Sequence, residues 1–187
     1  MTPIFVLILS IFTLKEKPTF IQFIGIVVVI FGVIVFFSSL PLVLSDVLGV
    51  FLTVLSGIGW ATYMIMSRYY LRNNRINVFT PTSYSMSFGS LLLLAAAILS
   101  NNIVFPSISG WLIIFWLSIV NTALAFVLWN HALKTLRAYE QSILQNTMLI
   151  QITLLACVFL GEVLTPQKIL GIMMVFIGAL IVQIRPK

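Results

Sequence analysis

Apolar stretches long enough to cross a lipid bilayer follow one another along nearly the whole chain. They fall at approximately Thr19–Phe37, Val47–Ser67, Val78–Leu99, Trp111–Leu133, Gln141–Leu160 and Pro166–Ile184, with a shorter one at Pro3–Leu14. Roughly 20 apolar helical residues cover the roughly 30 Å hydrocarbon layer. In that medium a backbone must satisfy its own polar groups, so only helices and closed barrels cross it. The period-two alternation of a membrane barrel is absent. The chain is 61% apolar and 7% charged, whereas a soluble domain carries about 25% charged residues. The expected fold is an all-α integral membrane protein, a multi-span helical bundle of about six full spans plus one partial span. Met1–Leu14 has neither the basic start nor the small-residue cleavage site of a signal peptide.

The net charge of +6 does not require a nucleic-acid partner, because the basic residues are placed as helix-orienting charges. Lys15 and Lys17 lie in the first connection, Arg68, Arg72 and Arg75 in the third, Lys134 and Arg137 in the fifth, and Arg185 and Lys187 at the C-terminus. If every segment from Thr19 onward crosses, all of these share one side. The opposite connections, Ser38–Asp46 and Ser100–Gly110, hold no Lys or Arg, and Lys168 alone falls on that side. The positive-inside bias then places the C-terminus in the cytoplasm of a multi-pass protein of the cell membrane, plasma or inner.

A stretch near the C-terminus, "LGEVLTPQKILGIMMVFIGALIV" (Leu160–Val182), has a weaker counterpart near the N-terminus, "LKEKPTFIQFIGIVVVIFGVIVF" (Leu14–Phe36). A single offset pairs Leu14 with Leu160, Glu16 with Glu162, Thr19 with Thr165, Gly25 with Gly171, Val29 with Val175 and Gly32 with Gly178. An odd number of crossings separates the two copies, so they run oppositely through the bilayer. Such inverted repeats are an architecture of many secondary transporters. Thr165 and Pro166 suit the N-cap and first position of a helix, and Thr19 and Gln22 have capping-box spacing. Glu16 and Glu162 precede these helix starts, where negative charge is favoured, so capping and anchoring outweigh a proton-coupling role. Gly25 with Gly32, and Gly171 with Gly178, are nearly two turns apart on one helix face and are expected to be helix-packing surfaces.

Polar and aromatic stripes mark the middle segments. At the helical period, Trp60 and Tyr63 share a face with Thr53, Ser56 and Ser67, and Ser87 aligns with Ser83 and Ser90. Asn121, Thr122 and Trp129 align with Ser118, and Gln145 and Asn146 with Gln141, Ser142 and Thr153. Polar side chains at membrane depth face the bundle interior or a watery cavity. Interhelical hydrogen bonding is the better account of any single Ser or Thr, whereas a cavity accounts equally well for Trp60, Asn121, Trp129, Gln145 and Asn146 as a set. Taken together, Trp60, Tyr63, Ser87, Asn121, Thr122, Trp129, Gln145 and Asn146 are the candidate substrate-cavity residues. Asp46 and Glu140 fall at span boundaries and His131 near a helix end. A lining without fixed charge suits a neutral, zwitterionic or amphipathic organic solute. The phosphate loop G-x-x-x-x-G-K-[ST] is missing, metal-ligand clusters and a Ser–His–Asp set are missing, and the single cysteine, Cys157, lies in an apolar run. No cofactor, metal or enzymatic activity is expected.

Three stretches resemble the EamA-type branch of the drug/metabolite transporter superfamily. "GIGWATYMIMSR" (Gly57–Arg68) is similar to the opening helix of an EamA repeat, and "NTALAFVLWNHAL" (Asn121–Leu133) to its third. The "LGE…G……G" pattern of Leu160–Gly178, weaker in Leu14–Gly32, is similar to the fourth and fifth. The resemblance implies inverted five-helix repeats: residues 1–39 as the last two helices of a first repeat that is otherwise missing, and residues 45–187 as a complete second repeat. It also implies secondary, non-ATP-hydrolysing transport of a metabolite, amino acid or drug-like solute, by alternating access and outward. The partners implied are the lipid bilayer, the solute, a proton or ion as coupling partner, and the missing N-terminal helices or a second copy. The alternative is a non-transporting membrane fragment or assembly partner. The family often carries a proline about 13 residues before the glutamate, as the spacing of Pro3 satisfies; the second copy has Leu149 there, which implies a less kinked helix.

Overall fold

The computed structural model describes residues 2–38, 47–100 and 105–184. Asp46, Arg185 and Lys187 lie outside these described residues. Six helices or helical rods among them are long and apolar enough to cross a membrane: Phe20–Phe37, Val47–Arg72, Phe79–Leu99, Ile108–Ala132, Ala138–Leu160 and Pro166–Gln183. With Thr2–Leu14 as a shorter apolar helix, they coincide with the seven expected segments to within a few residues. Three ends differ. Val47–Arg72 runs past Ser67 and takes Arg68 and Arg72 into the helix. Ile108 starts its rod three positions early, because Ser107 Oγ accepts the Gly110 N–H at 3.3 Å and supplies the cap. Ala138 starts another three positions early, which takes Glu140 into the helix.

The chain forms two compact units. The first holds residues 1–65 and 137–187: α1 (Thr2–Leu9) with its π-helical continuation Ser10–Leu14, α2 (Phe20–Phe37), the first part of α3 (Val47–Arg72), α7 (Ala138–Asn146), α8 (Met148–Leu160) and α9 (Pro166–Gln183). The second, residues 66–136, holds the rest of α3, α4 (Phe79–Leu99) and a rod made of α5 (Ile108–Trp116), a π-helical stretch Leu117–Leu124, and α6 (Ala125–Ala132).

In the first unit α2 lies antiparallel against α9, and four glycines make the approach close. A Cβ on Gly178 would stand 2.8 Å from the Gly25 carbonyl oxygen, and one on Gly25 would stand 2.9 Å from that of Gly178. Gly32 and Gly171 repeat this reciprocal contact at 2.9 and 2.8 Å. Lipid tails supply no hydrophobic drive toward association, so close backbone packing of this kind is what holds such helices together. Ile26, Val29, Tyr139, Ile143, Ala179 and Val182 form the core beside this seam.

The two copies also share backbone conformation. Lys15 (φ 57°) and Gly161 (φ 66°) both occupy the left-handed region, and their N–H groups reach Ser10 O and Ala156 O, positions related by the repeat offset. Thr19 Oγ1 accepts from Gln22 N at 3.4 Å while Gln22 Oε1 accepts from Thr19 N at 3.1 Å, a capping box. Thr165 Oγ1 accepts from Lys168 N at 3.3 Å, with Pro166 in the first turn. Leu149 does not keep its helix continuous. The helical ladder is interrupted at Thr147, whose Oγ1 donates to Leu144 O at 2.7 Å, so a hydroxyl marks a break where a proline is absent.

Candidate functional site

Within the first unit three of the expected cavity residues come together. Trp60 Nε1 donates to Gln145 Oε1 at 3.3 Å, joining α3 to α7. Tyr63 lies one turn further along α3, its ring 5.5 Å from that of Trp60 and tilted by 33°. Asn146, next to Gln145, turns its amide back onto its own helix, Nδ2 donating to Ser142 O at 2.9 Å. Trp60, Tyr63, Gln145 and Asn146 are each partly exposed. An indole and a phenol beside a carboxamide make an amphipathic surface without formal charge.

The remaining candidates belong to the second unit. Ser87 lines a recess of ≈ 290 Å³ on α4 with Ser83, Tyr84, Phe88 and Leu91. Asn121 and Thr122 lie in the π-helical stretch and are exposed, while Trp129 on α6 is half-buried. Thr122 Oγ1 donates to Leu117 O, five positions back, at 3.0 Å. Hydrogen bonding at i→i+5 widens each turn by a residue. The 3.6-residue spacing that aligned Ser118, Asn121 and Thr122 with Trp129 therefore does not apply across Leu117–Leu124, and a π turn of this kind has no sequence signature that periodicity can detect.

A densely bonded polar group lies outside the candidate set. Gln22 on α2 is buried. Its Oε1 also accepts from Tyr139 Oη at 2.9 Å, and its Nε2 donates to Glu140 Oε1 at 3.3 Å and to Val182 O at 3.1 Å. One amide thus ties α2 to α7 and α9. Glu140 is fully buried, and its other oxygen accepts from Arg137 N at 3.0 Å. Arg137 Nη1 donates to Tyr139 Oη at 2.7 Å and to Lys17 O at 3.3 Å. The hydrogen bond to Tyr139, and then the charges of Glu140 and Glu16, raise the Arg137 pKa above its ordinary value against the opposing effect of burial.

Glu16 serves a helix distant in sequence. Its Oε2 accepts from Ala138 N at 3.0 Å and so caps α7. The signal available in the sequence was scarcity: the whole chain has four acidic residues, and a carboxylate in such a chain has a specific electrostatic task. In the second unit Asn130 Nδ2 donates to Thr82 Oγ1 at 3.0 Å, both residues buried, joining α6 to α4. Among the described residues no group of three or more His, Cys, Asp or Glu side chains could hold a metal ion.

Residues 47–184 match the EamA-like transporter family. The chain belongs to that family. It is 24% identical over 188 aligned positions to a Clostridium kluyveri protein named as an uncharacterized transporter, covering 95% of this chain and 59% of that one. An Archaeoglobus fulgidus protein of the same description is 30% identical, covering 97% of this chain and 64% of its own length. An Acidianus ambivalens protein named as an uncharacterized transporter in the sor 3' region is 25% identical, covering 76% and 54%. The chain spans about three fifths of the length of the first two relatives. EamA membership and the six membrane-length helices make this a multi-pass membrane protein of a transporter family.

Proposed function

We propose that the chain serves secondary transport of a small organic solute, a metabolite, amino acid or drug-like molecule, exported by alternating access across the cell membrane. The observation that carries this reading is the Trp60–Gln145 hydrogen bond with Tyr63 against the indole. It places aromatic and carboxamide groups together on helices long enough to span, and a solute's polar atoms can exchange with that bond. The related proteins named as transporters support the same class. The antiparallel α2–α9 pair, with its reciprocal glycine contacts, supports residues 1–39 and 45–187 as parts of two inverted repeats. A proton or ion is the coupling partner in this reading, and the C-terminus is cytoplasmic.

The test is solute counterflow in sealed vesicles. One set carries the chain alone, and another carries it joined to the first half of the Clostridium kluyveri relative. Saturable flux that Trp60→Ala and Gln145→Ala abolish without lowering membrane accumulation is the expected result, in the joined form at least. Flux unaffected by both substitutions ends the site assignment, and absence of flux in both forms favours a non-transporting assembly partner. Orientation is tested separately. Reporter fusions after Ser39, Arg75, Asn102 and Lys187 should read outside, inside, outside, inside, and an inside signal at Asn102 would overturn the inverted arrangement.

A further inference from the structure

Residues 66–136 contain Arg68, Arg72, Arg75 and Lys134 but no aspartate or glutamate. Arg68 has an evident structural task, because its Nη1 donates to Leu133 O at 2.7 Å and Lys134 O at 2.8 Å, satisfying carbonyls at the C-terminal end of α6. Arg72 and Arg75 are arranged differently. Beyond the last turn of α3, Asn74 takes a left-handed conformation (φ 50°). Its N–H reaches Leu71 O and that of Arg75 reaches Tyr70 O, each at 3.1 Å. This is a Schellman ending, which reverses the chain over the helix it closes. The reversal brings Arg75 back onto Tyr69. The guanidinium carbons of Arg72 and Arg75 stand 5.9 and 5.6 Å from the centroid of that one ring. The ring is itself buttressed by Tyr70, edge-on at 5.2 Å and 85°.

Two guanidinium forks held against a single aromatic ring have lost much of their freedom before any ligand arrives. Their like charges repel, and an anion placed between them removes that repulsion. The planar forks match phosphate oxygens in bidentate geometry. The site stands at the end of a membrane-spanning helix, where headgroups lie. Met66 and Tyr70, four positions apart and therefore on one face, are both exposed. These exposed side chains on the last two turns of α3 offer acyl chains an apolar surface at the level of the arginines, which a lipid would use and a free phosphate would not.

We infer that Arg72 and Arg75, held on Tyr69, bind the phosphate of an anionic phospholipid headgroup. The test is native mass spectrometry of the full chain in mild detergent, with phosphatidylglycerol and phosphatidylcholine of the same acyl chains in equal amount. The wild type should retain phosphatidylglycerol about tenfold more than phosphatidylcholine. The double variant R72Q/R75Q should approach parity. Tyr69→Leu leaves both charges in place yet should reduce the preference about threefold, because it removes the ring that holds them. Lys17→Gln, which alters an exposed basic residue elsewhere, should leave it unchanged. Helix content by circular dichroism should match the wild type in all variants used. Parity in the wild type, an undiminished preference in Tyr69→Leu, or equal loss in Lys17→Gln would overturn the site. Displacement of the lipid by excess inorganic phosphate would overturn the lipid assignment in favour of a soluble anion.

Discussion

The corner that joins α1 to α2 and the corner that joins α8 to α9 are built from corresponding residues, yet they occupy different surroundings. Both close a helix through a left-handed residue, Lys15 or Gly161, and both open the next on a threonine, Thr19 or Thr165. The divergence begins at the carboxylates. Glu16 is buried and caps α7 at Ala138. Glu162 is half-exposed and pairs with Lys168 at 3.5 Å, inside its own corner. Where the first corner has Gln22, reaching across to α7 and α9, the second has Lys168. Local chemistry therefore repeats faithfully, while long-range bonding depends on which elements surround each copy.

That comparison can be broken at the glycine seam first. Gly178→Leu drives a side chain into the Gly25 carbonyl and Val29, which have no room to yield. A loss of more than about 3 kcal/mol is expected, with most of the protein failing to accumulate in the membrane. Gly32→Leu, on the reciprocal contact, should do the same. Normal accumulation of either variant would show that α2 and α9 do not depend on this approach.

The carboxylates should then separate the corners. Glu16→Ala strips a buried backbone N–H of its acceptor and should cost about 2 kcal/mol in detergent unfolding experiments. Glu162→Ala breaks an exposed ion pair and should change stability by less than about 1 kcal/mol. Equal losses would mean that the two glutamates share one role after all.

Smaller effects should restore the likeness. Lys15→Gly relieves a left-handed side chain and should raise stability by about 1 kcal/mol, with Gly161→Lys lowering it by as much. Thr19→Ala and Thr165→Ala should each cost about 1 kcal/mol, because each hydroxyl holds one N–H of a first turn. Melting temperatures of the four variants, measured under one detergent condition, would check the pairing. Unequal shifts between partners would show that the corners differ locally as well.

Much of the architecture was legible because its causes are local. Trp60, Tyr63 and Gln145 could be named from helical spacing and polarity, but their meeting required α3 and α7 to be neighbours. The helical period that puts Asn121 and Thr122 on the stripe of Trp129 fails in the π-helical stretch. Glu140 read as a boundary residue because spacing reports how far along a helix a residue lies, not what its side chain bonds across the interior. Gln22 reads as a cap from its spacing to Thr19, while its bonds to Tyr139, Glu140 and Val182 join positions far apart in the chain.

The amino-acid sequence by itself determined the membrane-length helices, their short connections, their caps and the close-approach glycines. Hydrocarbon thickness, backbone satisfaction and side-chain volume act within a helix or its first turn, so each leaves a mark that is read locally. Tertiary structure alone decided that Glu16 caps α7, that Gln22 ties three helices together and that Trp60 meets Gln145. A buried polar group must find a partner, but composition and periodicity do not say which one. Packing of the helices brings one donor or acceptor within reach from a distant part of the chain, and only that geometry selects it.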